Sequence, residues 1–216
     1  PSPRLSEAAL LTNAQGEPSI GGELRNELAT ADRVDLLCAF VMWPGIRVIE
    51  DQLRGLKDHG VPIRVITSTY TGCTDRGALD RLVTEYGAEV KVHYETSRTR
   101  LHAKAWVFHR DSGYGTGFVG SSNLSSSALL DGVEWNVRIS DIATPTLMRK
   151  FEATFDSYWA NPAFETYDPS RDRERLDSAL LTASGRQQSE GISLSSLEVT
   201  ARPHQARMLE ELEAHR

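Results

Sequence analysis

Basic charge, cysteine and long apolar runs are all scarce in this chain, and each shortage removes a class of explanation. With 30 acidic residues against 24 lysines and arginines the formal net charge is −6, so the molecule as a whole lacks the basic excess that nucleic-acid binders usually carry. Any contact with a phosphate backbone must rest on local charge, and Arg98, Arg100, Lys104 and Arg110 form a basic segment near the middle of the chain. The two cysteines, Cys38 and Cys73, stand in unrelated contexts at no metal-ligand spacing, which argues against both a disulfide framework and a zinc site. Cys38, inside LLCAF, reads as a small buried hydrophobe. No stretch approaches the ~20 apolar residues of a membrane span. The apolar run from Ala8 to Leu11 is short and has no basic region ahead of it, so no signal peptide is expected. A soluble, cytoplasmic protein with no membrane partner is the expectation.

What is present fits an ordinary folded domain. A chain of 216 residues, 39% hydrophobic, can build one α/β domain with a real core and a smaller appendage. From residue 33 short β-branched runs alternate with amphipathic stretches, the pattern of a sheet with helices on its faces. VDLLCAFV reads as a buried strand, and Pro44 then opens a helix carrying Ile46, Ile49, Leu53 and Leu56 at helical spacing, with Gly60 to end it. VPIRVITST is the next strand, residues 76–86 a second helix stopped by Gly87, and AEVKVHYE a third strand of period two. HAKAWVF, GTGFVGS and VEWNVRI complete a run of strands separated by the turns SGYG and SSNLSSSA. A helix over residues 145–159, with Leu147, Phe151, Phe155 and Tyr158 on one face, closes the domain.

Composition changes after Trp159. Residues 161–170 are loop-like, RDRERLDSALL is a short helix, and TASGRQQSEGISLSS is a polar linker. In LEVTARPHQARMLEELEAHR, Pro203 can start an amphipathic helix with Met208, Leu209 and Leu212, which looks like the opening of a further module. The expected division is a catalytic domain over 1–160, a helical extension and linker over 161–196, and the start of another module over 197–216. No internal repeat is visible.

The chemistry concentrates between residues 102 and 138. In HAKAWVF, strand alternation would put His102 and Lys104 on one face, ~7 Å apart, lining one pocket. GSSN then supplies Ser121 and Asn123, short polar groups suited to phosphate oxygens. The following strand is expected to turn Val133, Trp135, Val137 and Ile139 inward and Glu134, Asn136 and Arg138 to the opposite face, making a carboxylate available to orient an imidazole. Phosphodiester cleavage needs a nucleophile, donors around the non-bridging oxygens and an acid for the leaving oxygen. One chain supplies all but the acid. A single H-x-K is common by chance; its combination with S-x-N and a following Glu is much rarer. Plainer readings hold elsewhere. His59 reads as a helix-end residue and His109 as a strand-end residue; Arg98, Arg100 and Arg138 can contact phosphates or sit in salt bridges; Trp43, Trp106, Trp135 and Trp159 are core candidates first and base-stacking platforms second.

HAK, GSSN and the E-W-N of VEWNVRI resemble the phospholipase D superfamily, in the nuclease subgroup that includes metal-independent restriction endonucleases and small bacterial endonucleases. The eleven-position step from Asn123 to Glu134 agrees with that subgroup. The resemblance covers about residues 20–160 and implies a mixed β-sheet flanked by helices on both faces, one catalytic domain with a helical C-terminal extension. It implies His102, Lys104, Asn123 and Glu134 as catalytic residues, with Ser121 as a further donor; Arg98, Arg100 and Arg138 are substrate-contact candidates by their charge alone. The wider context, FVMWPGI, STYTG and TRLHAKAWVF, resembles the nuclease domain found ahead of superfamily 2 helicase modules, and RPHQ resembles the motif in which a Gln recognises adenine. ATP would then serve only the helicase of a longer chain, since no Gly-Lys-Thr loop is present.

Two departures narrow the substrate. Lipid-cleaving members usually have an Asp five residues after the Lys, where this chain has His109, and they carry two H-x-K copies, whereas here His93 is followed by Tyr94 and Glu95. The expected enzyme is therefore a metal-independent, cofactor-free DNA phosphodiesterase acting through a phosphohistidine, as a homodimer with a shared site. The rival readings are a non-catalytic DNA-binding or dimerisation module of a helicase, and a phospholipase or phosphatidyltransferase.

Overall fold

The computed structural model describes residues 2–14, 16, 17, 19–94 and 101–190, the last five in backbone only. Eight strands form one mixed sheet. They are β1 (Ala9–Leu11), β2 (Arg33–Leu37), β3 (Ile63–Ser68), β4 (Glu89–His93), β5 (Ala105–His109), β6 (Thr116–Gly120), β7 (Asn136–Ser140) and β8 (Phe164–Thr166), in the order β1-β7-β6-β5-β2-β3-β4-β8. β2, β3 and β4 run parallel through helical crossovers, while every other neighbouring pair is antiparallel. The fold is thus the expected mixed sheet with helices on both faces.

The helices divide unequally between those faces. Helices α1 (Ile20–Leu28), α2 (Trp43–Val48), α3 (Glu50–Asp58), α4 (Arg76–Thr84), α5 (Ser126–Leu130) and α7 (Pro169–Glu190) send Leu24, Ile46, Leu53, Leu79, Leu129 and Leu176 into the large core, against Val34, Leu36, Val65, Val90, Trp106, Phe108 and Phe118 of the sheet. Among the described helices the other face is covered by α6 (Pro145–Ala160) alone, whose Met148 and Phe155 pack with Val107, Ile139, Leu37, Ile66 and Ala105. Strand alternation explains why β2, β3 and β5 have both parities buried: they are roofed on both sides.

Several boundaries differ from the sequence reading. The helix expected to run from Pro44 to Gly60 is two, α2 and α3, because Ile49 leaves helical geometry at φ −122, ψ 17; all four expected apolar positions are nonetheless buried. Leu147 is 49% exposed, so the buried stripe of α6 runs through Met148, Phe151 and Phe155 instead. The short helix and the first part of the polar linker form one helix, α7, in which Leu176, Leu180 and Ala183 are buried. The compact unit ends at Gly185. The amphipathic segment over 197–216 lies outside the described residues.

Two ion clusters sit within the fold. Under α6, the buried Asp35 takes a bidentate Arg64 (2.6 and 2.7 Å) and His109 Nε2 (2.7 Å), while His109 Nδ1 meets Glu152 at 3.1 Å. Burial alone would raise the Asp35 carboxyl, but hydrogen bonds and charge from His109 and Arg64 hold it below its ordinary value. On the other side, Glu27 of α1 is shared by two buried guanidiniums, those of Arg110 and Arg138.

Candidate active site

The strand register brings the chemistry to one end of the sheet. Ala105 at the start of β5 pairs with Leu37 at the end of β2 and with Val119 in β6, so the residues just past them, Lys104, Cys38 and Gly120, are brought together. Gly120 N donates to the Lys104 carbonyl at 3.2 Å. His102 and Lys104 precede β5 rather than belonging to it, so strand alternation does not place them. A direct contact does: Lys104 Nζ lies 2.9 Å from His102 Nδ1 and 3.2 Å from Nε2, and it donates to the His102 carbonyl at 2.9 Å.

The two side chains differ in exposure. His102 is open to solvent while Lys104 is only 7% exposed. Burial lowers the Lys104 pKa, opposed by the charge of Glu134 and by the Cys38 side chain. The Cys38 thiol, fully buried behind this site, is pushed up to about 12 by desolvation and is a neutral wall rather than a nucleophile. Cys38 is the buried small hydrophobe expected from LLCAF. Its proximity to Lys104 follows from register, which no motif announces.

GSSN forms the opposite wall. Ser121 donates to Glu134, accepts from Trp135 N at 3.0 Å, and its own N donates to the Trp135 carbonyl at 3.1 Å. Glu134 therefore engages a hydroxyl here; among the described residues no hydrogen bond joins it to His102. Asn123 Oδ1 accepts from Phe40 N at 3.4 Å, two residues beyond Cys38, which ties the asparagine to the loop leaving β2. That loop is fastened further by Met42 N donating to the Leu124 carbonyl (2.9 Å) and Asp75 N donating to the Val41 carbonyl (2.8 Å).

The closeness of these loops depends on Gly45. A Cβ there would lie 2.4 Å from the Leu124 carbonyl carbon and oxygen and 2.6 Å from Ser125 N, all backbone atoms that cannot rotate away. Gly45→Ala is expected to lower stability by about 1–3 kcal/mol through this overpacking. Urea unfolding reads the effect, and an unchanged midpoint would show that the Asn123 loop yields freely.

The remaining site candidates separate. Arg98 and Arg100 lie outside the described residues. Arg138, expected at the substrate, is 1% exposed, with its guanidinium held by Glu27 and by the carbonyls of Arg4 and Glu7; it has no surface to offer a phosphate. Arg110 is likewise spent on Glu27, Thr30 and Thr116. The face assignment leading into and through β7 holds only at Ile139, which is buried as expected; Val133, Trp135 and Val137 are exposed, whereas Asn136 and Arg138 are buried. The period of two holds, but an ion-paired arginine can occupy the core side, and the opposite face is covered only where α6 reaches Ile139. His109 belongs to the Asp35 cluster, and His59 donates to the Gly55 carbonyl at a helix end. Among the described residues no three His, Cys, Asp or Glu side chains converge on a metal-sized site, and no helix is long and apolar enough to cross a membrane.

The family model described as "Cardiolipin synthase, PLD-like domain" matches residues 24–159, which include every member of the cluster around His102. The chain belongs to the phospholipase D-like family of phosphodiesterases. Solved structures share the fold. A phospholipase D family member, Nuc, from Salmonella typhimurium aligns at 18% identity with a TM-score of 0.55, covering 74% of this chain and 99% of its own. NucT from Helicobacter pylori aligns at 13% identity with a TM-score of 0.56 and the same coverages. A phosphatidylserine synthase from Haemophilus influenzae aligns at 11% identity and a TM-score of 0.55 over 85% of this chain and 46% of its own. At these identities the likeness is one of fold. No curated protein sequence matches the chain.

Proposed function

We propose that this phospholipase D-like chain is a metal-independent DNA endonuclease that works through a phosphohistidine, as a homodimer. The observation that carries the reading is an exposed imidazole held against a buried ammonium, Lys104 Nζ at 2.9 Å from His102 Nδ1, with only one such pair among the described residues. In the first step a ring nitrogen of His102 attacks phosphorus, the bond from phosphorus to the leaving oxygen breaks, and the partner's His102 gives that oxygen its proton. In the second, the same partner imidazole takes a proton from water, whose oxygen attacks phosphorus and displaces the His102 nitrogen. Lys104 and Asn123 neutralise charge growing on the phosphoryl oxygens, and Glu134, through Ser121 or directly, sets the polarity of the rim.

DNA is favoured over lipid by the single H-x-K copy and by His109 standing where lipid-cleaving members usually have Asp. The basic pair Arg98 and Arg100 supports the same substrate, lying just ahead of His102 in sequence. The RPHQ segment over 202–205 supports a parent enzyme in which this nuclease precedes a superfamily 2 helicase, with ATP used by the helicase alone. A role in restriction or defence and a cytoplasmic site of action fit that parent.

An ammonium beside the nucleophile is a poor neighbour for a divalent cation, which would meet like charge at close range. Cleavage of labelled single- or double-stranded DNA is therefore expected to proceed undiminished in excess EDTA. Strict dependence on added magnesium or manganese would overturn the mechanism. Tight DNA binding with no cleavage by the full chain would point instead to a non-catalytic module.

A further inference from the structure

One peptide group stands between Asn123 and the core. In a trans peptide the carbonyl and the N–H point in opposite directions, so whatever fixes one end aims the other. The peptide joining Ala39 to Phe40 is held at both ends: its carbonyl accepts from Ser68 Oγ at 3.0 Å, and its N–H donates to Asn123 Oδ1 at 3.4 Å. Ser68, the last residue of β3, is fully buried, and its hydroxyl oxygen accepts in turn from Tyr70 N at 3.4 Å. The Ser68 carbonyl takes the Thr74 hydroxyl at 3.0 Å, which fixes the strand end from which the side chain projects.

Every link in this series runs in the same sense, from the Tyr70 N–H to the Ser68 hydroxyl, to the peptide of Ala39 and Phe40, to the Asn123 amide. Each donor is therefore polarised by the one behind it. The series also settles which way the Asn123 amide is turned. Phe40 N can only donate, so the atom facing it is the oxygen, and the nitrogen occupies the other branch of the planar amide. Among the described residues Nδ2 makes no hydrogen bond, which leaves both of its protons for a ligand. An amide turned the other way would present its oxygen to a phosphoryl group, acceptor against acceptor. Placement of the loop does not depend on Ser68. Backbone contacts hold it: Cys38 N to the Ile66 carbonyl (3.0 Å), Met42 N to the Leu124 carbonyl (2.9 Å) and Asp75 N to the Val41 carbonyl (2.8 Å). What Ser68 adds is the rotation of a single peptide within a loop already fastened.

We propose that Ser68 is a positioning residue for the phosphodiesterase site: through the peptide joining Ala39 to Phe40 it turns the Asn123 amide so that Nδ2 donates to a non-bridging phosphoryl oxygen. The proposal rests on the role given to Asn123 above and adds the buried hydroxyl that sets its orientation. Ser68 belongs to neither H-x-K nor S-x-N, and it acts through Asn123 alone.

A double-mutant cycle on the full chain tests it, with bis(p-nitrophenyl) phosphate and labelled DNA as substrates. Ser68→Ala is expected to lower kcat about 10-fold with KM moved by less than about twofold, because a misdirected donor is missed most where charge builds in the transition state. Asn123→Ala is expected to lose about 100-fold or more. In the Asn123→Ala background Ser68→Ala should then cost less than about twofold further. Equal losses in both backgrounds, or no loss beside an intact Asn123, overturn the proposal; if DNA is still cut, the nuclease reading stands without it. Amide exchange at Phe40 gives a readout independent of turnover. Its protection should fall about 10-fold in Ser68→Ala and in Asn123→Ala alike, and unchanged protection in either variant overturns the proposal. Should Ser68→Ala fail to fold by circular dichroism, Ser68→Cys, similar in shape and a weak donor, carries the same expectations. A wild type that cleaves the small diester but not DNA, with the cycle behaving as stated, supports the role of Ser68 and retires the DNA reading. A wild type that cleaves neither substrate overturns both.

Discussion

His102→Ala is expected to reduce phosphodiester cleavage by on the order of 10⁴-fold or more while leaving the fold intact. Under the proposed shared-site mechanism the size of the loss follows from one imidazole serving two duties, nucleophile in one half of a dimer and acid, then base, in the other. Among the described residues no other histidine can replace it. His109 is fixed between Asp35 and Glu152, His59 caps a helix end, and His93 is 4% exposed within the sheet. Survival of the fold follows from exposure, because an open side chain outside any strand contributes little to stability. Lys104 keeps the His102 backbone carbonyl at 2.9 Å, so the truncation does not strand its ammonium. Steady-state kinetics with circular dichroism and urea unfolding read both halves of the expectation. Heterodimers of His102→Ala with wild type separate the shared site from two independent ones. The shared site loses most turnover per mixed dimer, and full or half activity there would sink it.

The sheet was legible in the sequence because its strands are short, β-branched and punctuated by glycine. β3, β4 and β6 stand within a residue or two of the expected spans. The first 32 residues were harder. β1 is three residues long and half-exposed, and α1 carries Gly21, Gly22, Glu23 and Glu27, which blur the apolar stripe that periodicity looks for. Gly21 is there because a Cβ would lie 2.8 Å from Val48 and 3.0 Å from the Leu129 carbonyl, a packing constraint with no local signature. The site was legible as a motif and misread in its details. His102 and Lys104 were joined by spacing, yet their geometry comes from a side-chain contact ahead of β5 rather than from strand alternation. For Arg138 the sequence leaves a phosphate contact and a salt bridge both open; the partner 111 residues earlier, Glu27, decides for the salt bridge and explains its burial. Long-range ion pairs of this kind leave no trace in periodicity.

Glu27→Ala is expected to cost about 3–5 kcal/mol of folding stability, the largest effect we foresee for a residue remote from His102. Glu27 Oε2 takes Arg110 Nη2 at 2.6 Å and the Thr116 hydroxyl at 2.7 Å, while Oε1 takes Arg138 Nε at 2.8 Å and Nη2 at 2.7 Å. The Arg110 and Arg138 side chains are 3% and 1% exposed, so removing the carboxylate leaves two guanidiniums desolvated and close together without an anion between them. The backbone carbonyls that also receive them, those of Arg4, Glu7, Tyr114 and Glu27 itself, supply dipoles but no compensating charge. Burial of an ion cluster does not itself imply net stabilisation, and one comparison separates the two effects. A triple variant with Glu27→Leu, Arg110→Met and Arg138→Met removes every charge together and is expected to be more stable than Glu27→Ala. Urea unfolding of both variants gives the answer, and a Glu27→Ala protein within about 1 kcal/mol of wild type would show that water reaches the arginines. The damage should also travel in a definite direction. Arg138 lies on β7, whose neighbouring residue Trp135 exchanges hydrogen bonds with Ser121, so the β1-β7-β6 side of the sheet should loosen before the parallel strands β2, β3 and β4. Amide exchange in Glu27→Ala should therefore rise at Ser121 and Val137 before it rises at Val65 and Val90, and the catalytic wall would lose order while most of the core remained folded.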